Sequence, residues 1–183
     1  MKTWIVLLRG VNVGGNNKLP MKALATELES LGFSDVRTYI QSGNVVCRGP
    51  GQKPDALAAV IRGAILGKFG FEPAVLAIEA ADFAAAAAAN PFSESTADME
   101  GRTVHLFFLD QAPKEVPRDR LEALRIASER WQLKGRVLYL HCPEGFGTSK
   151  LAIQAERILG VPATARNWRT VGTLFEMAGL GGH

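Results

Sequence analysis

The order of hydrophobic patterns constrains this chain more than any other feature: β-α-β-β-α-β can be read along it twice. TWIVLL, residues 3–8, is a strand with β-branched and aromatic residues on both faces, the pattern of a central strand buried on both sides. Pro20 suits the first turn of a helix in which Met21, Leu24, Leu28 and Leu31 follow at helical spacing until Gly32 stops it. VRTYI and NVVCR flank QSG and predict a hairpin. Pro54 to Phe69 predicts a helix with Leu57, Ile61, Ala64 and Ile65 on one stripe, and PAVLAIEA, residues 73–80, a further strand.

The second half repeats the order. TVHLFFLD, residues 103–110, is a strand apolar on both faces. Pro117 opens a helix carrying Leu121 and Leu124, and RWQL and RVLYLH flank Lys134-Gly135 as a second hairpin. Ser149 to Leu159 is a helix and PATA a short extended piece. A last helix runs from Trp168 to Ala178 with Trp168, Val171, Leu174 and Phe175 inward. Between the halves, ADFAAAAAANPF is a linking helix ended by Asn90-Pro91, and SESTADMEGR reads as a solvated linker. The predicted fold class is α+β: two ferredoxin-like β-α-β-β-α-β units in tandem, an internal duplication, plus a linking helix and a C-terminal helix. The expected division is residues 1–80, a linking helix and linker over 81–101, and a second unit with the C-terminal helix over 102–183.

The 183 residues suit one large domain or two small ones. A composition of 47% hydrophobic and 21% charged residues is that of a globular protein. The net charge of +3 permits nucleic acid or phosphorylated partners without demanding them, and no Lys/Arg tract appears. Cys47 and Cys142 are far apart, so neither a disulfide framework nor a zinc site is indicated, and no cofactor is expected. The N-terminal apolar run WIVLL has five residues and is followed by Arg9, too short for a signal peptide core. No window reaches the length of a membrane span, so a cytoplasmic protein with no membrane partner is expected. Because both first strands are apolar on both faces, something must cover the sheets' open faces: the other half or the extra helices. That argues against base stacking on an open sheet, and NVVCR lacks the aromatic RNA-recognition signature.

Four polar clusters carry the candidate chemistry. The first is RGVNVGGNNKLP, residues 9–20, with Arg9, Asn12, Asn16, Asn17 and Lys18 and no acid. It is longer than the roughly 2–6 residues of a plain strand-to-helix connection. Its glycines allow backbone N–H groups to approach an anion; the alternative is a long turn whose asparagines bond their own backbone. The second is QSGN, with Gln41 and Asn44, which is hairpin chemistry unless the turn lies beside the opening loop. The third is GFGTSK, where Ser149 or Thr148 caps a helix and Lys150 adds charge; its spacing is not that of a P-loop. The fourth is TARNWRTVGTL, placing Arg166, Asn167, Arg169 and Thr170 at the start of the last helix, with guanidinium groups suited to phosphate or carboxylate. Trp168 there reads as core rather than a stacking platform.

Catalytic groups are thin. His105, mid-strand, reads as a satisfied interior histidine, and His183 is terminal. His141 is the candidate acid or base, and no triad, acidic pair or metal spacing declares itself. Two readings stay open. One is a protein that binds an anionic ligand, nucleic acid or nucleotide, in a basic Asn/Arg-rich cleft between the halves. The other is an enzyme acting on a small phosphorylated or carboxylated metabolite with His141 moving the proton. Ligand identity and oligomeric state are not legible.

LLRGVNVGGNNKLPM, VRTYIQSGNVV, the GxSKL element in GFGTSKLA and the near-terminal TARNWRTV, in this order from Trp4 to about Leu174, together resemble the bacterial family called domain of unknown function 1697. The resemblance implies a small soluble bacterial protein with an α+β fold similar to a pair of ferredoxin-like units. It implies no activity, substrate or catalytic residue. The Ala-rich segment 81–89 departs from the family pattern without touching the motifs.

Overall fold

The computed structural model describes residues 1–96 and 101–181. Residues 97–100, in the middle of the expected linker, and residues 182–183, which include His183, lie outside the described residues. Six α-helices and two four-stranded antiparallel sheets are present among the described residues. The elements run β1 (Lys2–Arg9), α1 (Met21–Ser30), β2 (Ser34–Tyr39), β3 (Asn44–Gly49), α2 (Pro54–Phe69), β4 (Ala74–Glu79) and α3 (Ala80–Ala88). They continue with β5 (Val104–Leu109), α4 (Arg118–Leu124), β6 (Arg130–Lys134), β7 (Val137–His141), α5 (Lys150–Leu159), β8 (Ala163–Asn167) and α6 (Trp168–Met177). The strand orders are β2-β3-β1-β4 and β6-β7-β5-β8, so the two sheets share one topology.

The chain divides into two compact units: Met1–Ala85 with the residues from Thr173 onward, and Ala86–Gly172. The boundaries fall inside α3 and α6, and the C-terminal residues group with the first unit.

In the first unit β1 is central, and Trp4, Ile5, Val6, Leu7 and Leu8 are all fully buried. Trp4, Val6 and Leu8 alternate toward the helices, where they join Val45 and Cys47 of β3, Leu24 and Leu28 of α1 and Leu57, Ile61 and Ile65 of α2 in one core. α1 starts directly after Pro20, and α2 has Pro54 in its first turn and Gly70 in the left-handed conformation just beyond its end. Thr3, Val46, Arg37 and Arg48 lie on the opposite sheet face, where the end of α6 meets it: the Arg37 guanidinium donates to the Met177 carbonyl.

The second unit repeats the plan. Phe107, Leu109, Leu138, Leu140 and Cys142 face α4 and α5 together with Leu121, Leu151, Ala155 and Ile158. On the other face Val104, Leu106, Phe108 and Tyr139 are also buried. There the Tyr139 hydroxyl donates to the Ala86 carbonyl at 2.7 Å, and the Arg130 guanidinium sits 4.9 Å over the Phe92 ring. Within each unit, then, the extra helices and the residues that follow them contact the face that the sheet's own two helices leave open.

Candidate functional site

The opening loop is a folded object with its own internal bonding. The Asn12 amide nitrogen donates to the Leu19 carbonyl at 2.9 Å and the Gln41 carbonyl at 2.8 Å, while its oxygen accepts from the Leu19 N–H at 2.8 Å. Asn17 donates to the Gly10 carbonyl, and the Asn12 N–H donates to the Asn17 carbonyl. Both asparagines hold left-handed backbone, at φ 54° and 49°, which asparagine tolerates better than other non-glycine residues. Between them Val13 and Asn16 form a tight bridge, with Gly14 and Gly15 at its tip in left-handed conformation. Asn12 and Asn17 therefore hold the loop's shape, and Lys18, Gly14 and Gly15 stay exposed. Arg9, the last residue of β1, is exposed as well.

The hairpin turn lies beside this loop. The Leu8 N–H donates to the Gly43 carbonyl at 2.7 Å, and the Asn12–Gln41 bond ties the two segments together. Asn44 is fully buried, its amide donating to the Tyr39 carbonyl and the Ser42 hydroxyl. Gln41 stays exposed and offers its backbone carbonyl to Asn12. Ile40 occupies φ 50° at 52% exposure, a strained backbone for a β-branched residue.

In the second unit, the GFGTSK loop follows β7 and the RNWRT segment follows and ends β8, so both lie at the same end of the sheet. Ser149 is buried and caps α5, its hydroxyl accepting from the Ala152 N–H at 3.0 Å, while Lys150 is exposed. The last helix begins at Trp168 as expected, with Arg166 and Asn167 just before it. These two are also the last residues of β8, two beyond PATA, because the strand extends by pairing Leu106 with Arg166 and His105 with Asn167. Asn167 then caps α6 by accepting from the Thr170 N–H at 2.9 Å. Arg166 donates to the Ala165 carbonyl, and burial pushes its guanidinium down to about 10. Arg169 is exposed, whereas Trp168 is only half-buried.

His141 is half-buried, and its Nδ1 lies 3.1 Å from the Arg130 guanidinium. Since arginine only donates, Nδ1 is the acceptor in this contact. His105 is interior as expected. Its Nδ1 has no hydrogen-bond partner among the described residues, and its ring stacks on Phe146 at 3.8 Å. Burial pushes it down to about 4, with a backbone hydrogen bond at Thr103 acting the other way.

Around it the structure collects groups that the motifs did not single out. Glu129 is 2% exposed and accepts from the Ile126 N–H at 3.2 Å. It also acts with burial to push the Cys142 thiol up to about 11, against a hydrogen bond from Ser149. The signal for Glu129 was present but faint: Glu129, Trp131 and Leu133 alternate, which puts them on one strand face. Both thiols are buried, Cys47 being pushed up to about 12, so neither is an activated nucleophile. Among the described residues, no group of three or more His, Cys, Asp or Glu is arranged to hold a metal ion. No described helix is long and apolar enough to cross a membrane.

The fold is similar to that of the conserved bacterial protein SP0830 from Streptococcus pneumoniae. The two share 22% sequence identity at a TM-score of 0.67, over 97% of this chain and 98% of the other. No curated protein matches the chain. The model of the family described as protein of unknown function (DUF1697) matches residues 1–139, which contain the opening loop and the hairpin turn but end before GFGTSK and ARNWRT. With three quarters of its length matched, the chain belongs to the DUF1697 family of proteins of unknown function.

Proposed function

We propose that this protein binds an anionic ligand, nucleic acid or a nucleotide, through the opening loop of the first unit. We read the two sheets as ferredoxin-like units in tandem that hold such loops at their ends. One observation carries the reading. The Asn12 side chain ties the loop to the hairpin turn and the Asn17 side chain closes the loop on Gly10, while an acid-free segment bearing Arg9, Lys18 and the glycine tip is exposed. A loop that only joined β1 to α1 would need neither eleven residues nor this bracing. A braced loop binds without losing conformational freedom at the moment of contact. Gly14 and Gly15 bring main-chain N–H groups close to an anion, and Lys18 supplies charge. In this reading Asn12, Asn17, Gln41 and Asn44 shape the site and the cations and glycines touch the ligand. Lys150 and Arg169 belong to the second unit and are exposed at the end of its sheet.

The test is fluorescence anisotropy with a labelled single-stranded oligonucleotide, with nucleotide triphosphates as competitors, at several salt concentrations. Affinity should fall steeply as salt rises, because phosphate contacts release counterions. Lys18→Gln should weaken binding several-fold, lower the salt slope by about one contact and leave the unfolding midpoint unchanged. Binding that ignores both salt and Lys18 would sink the reading.

A further inference from the structure

The first unit also has a cleft of about 360 Å³, lined by the outer face of its sheet and the end of α6. We propose that this cleft is a site for a small zwitterion, with the anionic group on Arg37 and Arg48 and the ammonium group against Asp35, Glu176 and the C-terminal end of α6. The site is distinct from the opening loop and does not rest on it.

The sheet wall follows from register. Arg37 pairs with Val46, and Arg48 lies two residues beyond Val46 on the same strand, so the two arginines are diagonal neighbours on one face. Diagonal positions on adjacent strands are roughly 7–8 Å apart, within reach of one shared carboxylate or phosphate. Thr3, paired with Arg48, adds a hydroxyl to the same wall. Between Ser34 and Arg37 the register slips by one residue, and Asp35 takes a left-handed backbone at φ 50°. This bulge brings the Asp35 carboxylate to 3.9 Å from the Arg48 guanidinium. The pair is half-solvated, with side chains 52% and 62% exposed, so a ligand can replace it at little cost.

The opposite wall is the end of α6. Its backbone closes on Gly179: Ala178 donates to Leu174, Gly179 to Glu176 and Leu180 to Phe175. Arg37, which lines the cleft, takes the Met177 carbonyl with one of its five donors. The helix end is the negative end of its dipole, and the exposed Glu176 carboxylate adds to it. A pure anion entering here meets two acids and a helix C-terminus, and a pure cation meets two arginines. A molecule carrying both charges a few bonds apart satisfies both walls. The volume is at the lower end of small-ligand sites, the size of an amino acid, a dipeptide or a phosphoamine.

The experiment is titration of the ¹⁵N-labelled protein, followed by amide shifts, with glycylglycine and with phosphoethanolamine. N-acetylglycylglycine and glycylglycinamide serve as singly charged controls. Saturable shifts at Thr3, Val46, Arg48 and Gly179 are expected, with each control binding at least ten-fold more weakly. The tighter of the two zwitterions assigns the anionic head as carboxylate or phosphate. Arg48→Gln should lose binding ten-fold or more with its unfolding midpoint unchanged, and Lys18→Gln should bind as the parent does. No saturable shift with either zwitterion, equal binding of the controls, or full binding by Arg48→Gln would overturn the proposal.

Discussion

The two units share a strand order but carry their polar elaboration at opposite ends of the sheet. In the first, the braced loop and hairpin turn gather at the C-terminal end of the central strand β1. In the second, Ser149, Asn167 and the buried Glu129, Cys142 and His105 gather at the N-terminal end of β5. At the opposite ends the strand-to-helix connections are plain: Pro50–Lys53 simply joins β3 to α2, and residues 110–117 join β5 to α4 with two prolines. One scaffold therefore presents chemistry at either end, and loop sequence rather than sheet topology decides which.

The two hairpin turns test that difference most strongly. Gly43 sits at φ +86°, and a Cβ there would lie 2.5 Å from the Leu8 Cβ and 3.0 Å from a Val11 methyl. Gly135, in the equivalent turn of the second unit, is at φ +57° with nothing within 4 Å. Gly43→Ala combines left-handed strain with a clash against core backbone and should cost about 4 kcal/mol. Gly135→Ala bears the strain alone and should cost about 1 kcal/mol. Urea unfolding of both variants measures the gap. Equal costs would mean that the opening loop yields to its neighbour and is not braced.

Acid should separate the units next. A buried histidine held down to about 4 resists protonation when folded, whereas the unfolded chain binds that proton near 6.5. The stability that neutral His105 allows is complete above about pH 6.5, declines as pH falls, and is fully lost below about 4. The loss is about 3 kcal/mol for the second unit. His105→Phe keeps a ring against Phe146 and removes the titration, so its acid limb over this range should flatten. An unchanged acid limb would assign the loss to other groups.

Much of this architecture was legible because the apolar periods were clean. The bounds of α2 were read directly from Pro54 and Phe69, and the all-apolar faces of TWIVLL and TVHLFFLD marked β1 and β5 as central. The site was legible only as composition. Asparagines in RGVNVGGNNK suggested ligand contact, whereas Asn12 and Asn17 are taken up by backbone carbonyls 7 to 29 residues away, contacts no local pattern encodes. PATA hid two further strand residues because Arg166 and Asn167 look like helix-start chemistry until their pairing with β5 is seen. Arg37 and Arg48 went unremarked for a similar reason: they become neighbours only through the register of β2 on β3, which a bulge shifts.

The smallest contrast concerns the starts of α2 and α5, which are equivalent helices. The residue before α2, Lys53, makes no side-chain capping bond among the described residues, whereas Ser149 caps α5 from a buried position. Ser149→Ala should cost about 1 kcal/mol, and Lys53→Ala no measurable amount. The pair also decides what the polar end of the second sheet is for. If Ser149→Ala lowers stability by that amount and leaves oligonucleotide binding untouched, the hydroxyl is a cap, and GFGTSK is elaborate because the helix must begin beneath a buried Glu129–Cys142 cluster. If stability is unchanged and binding weakens, the capping bond is incidental, and the second sheet shares in recognition that this reading assigns to the first.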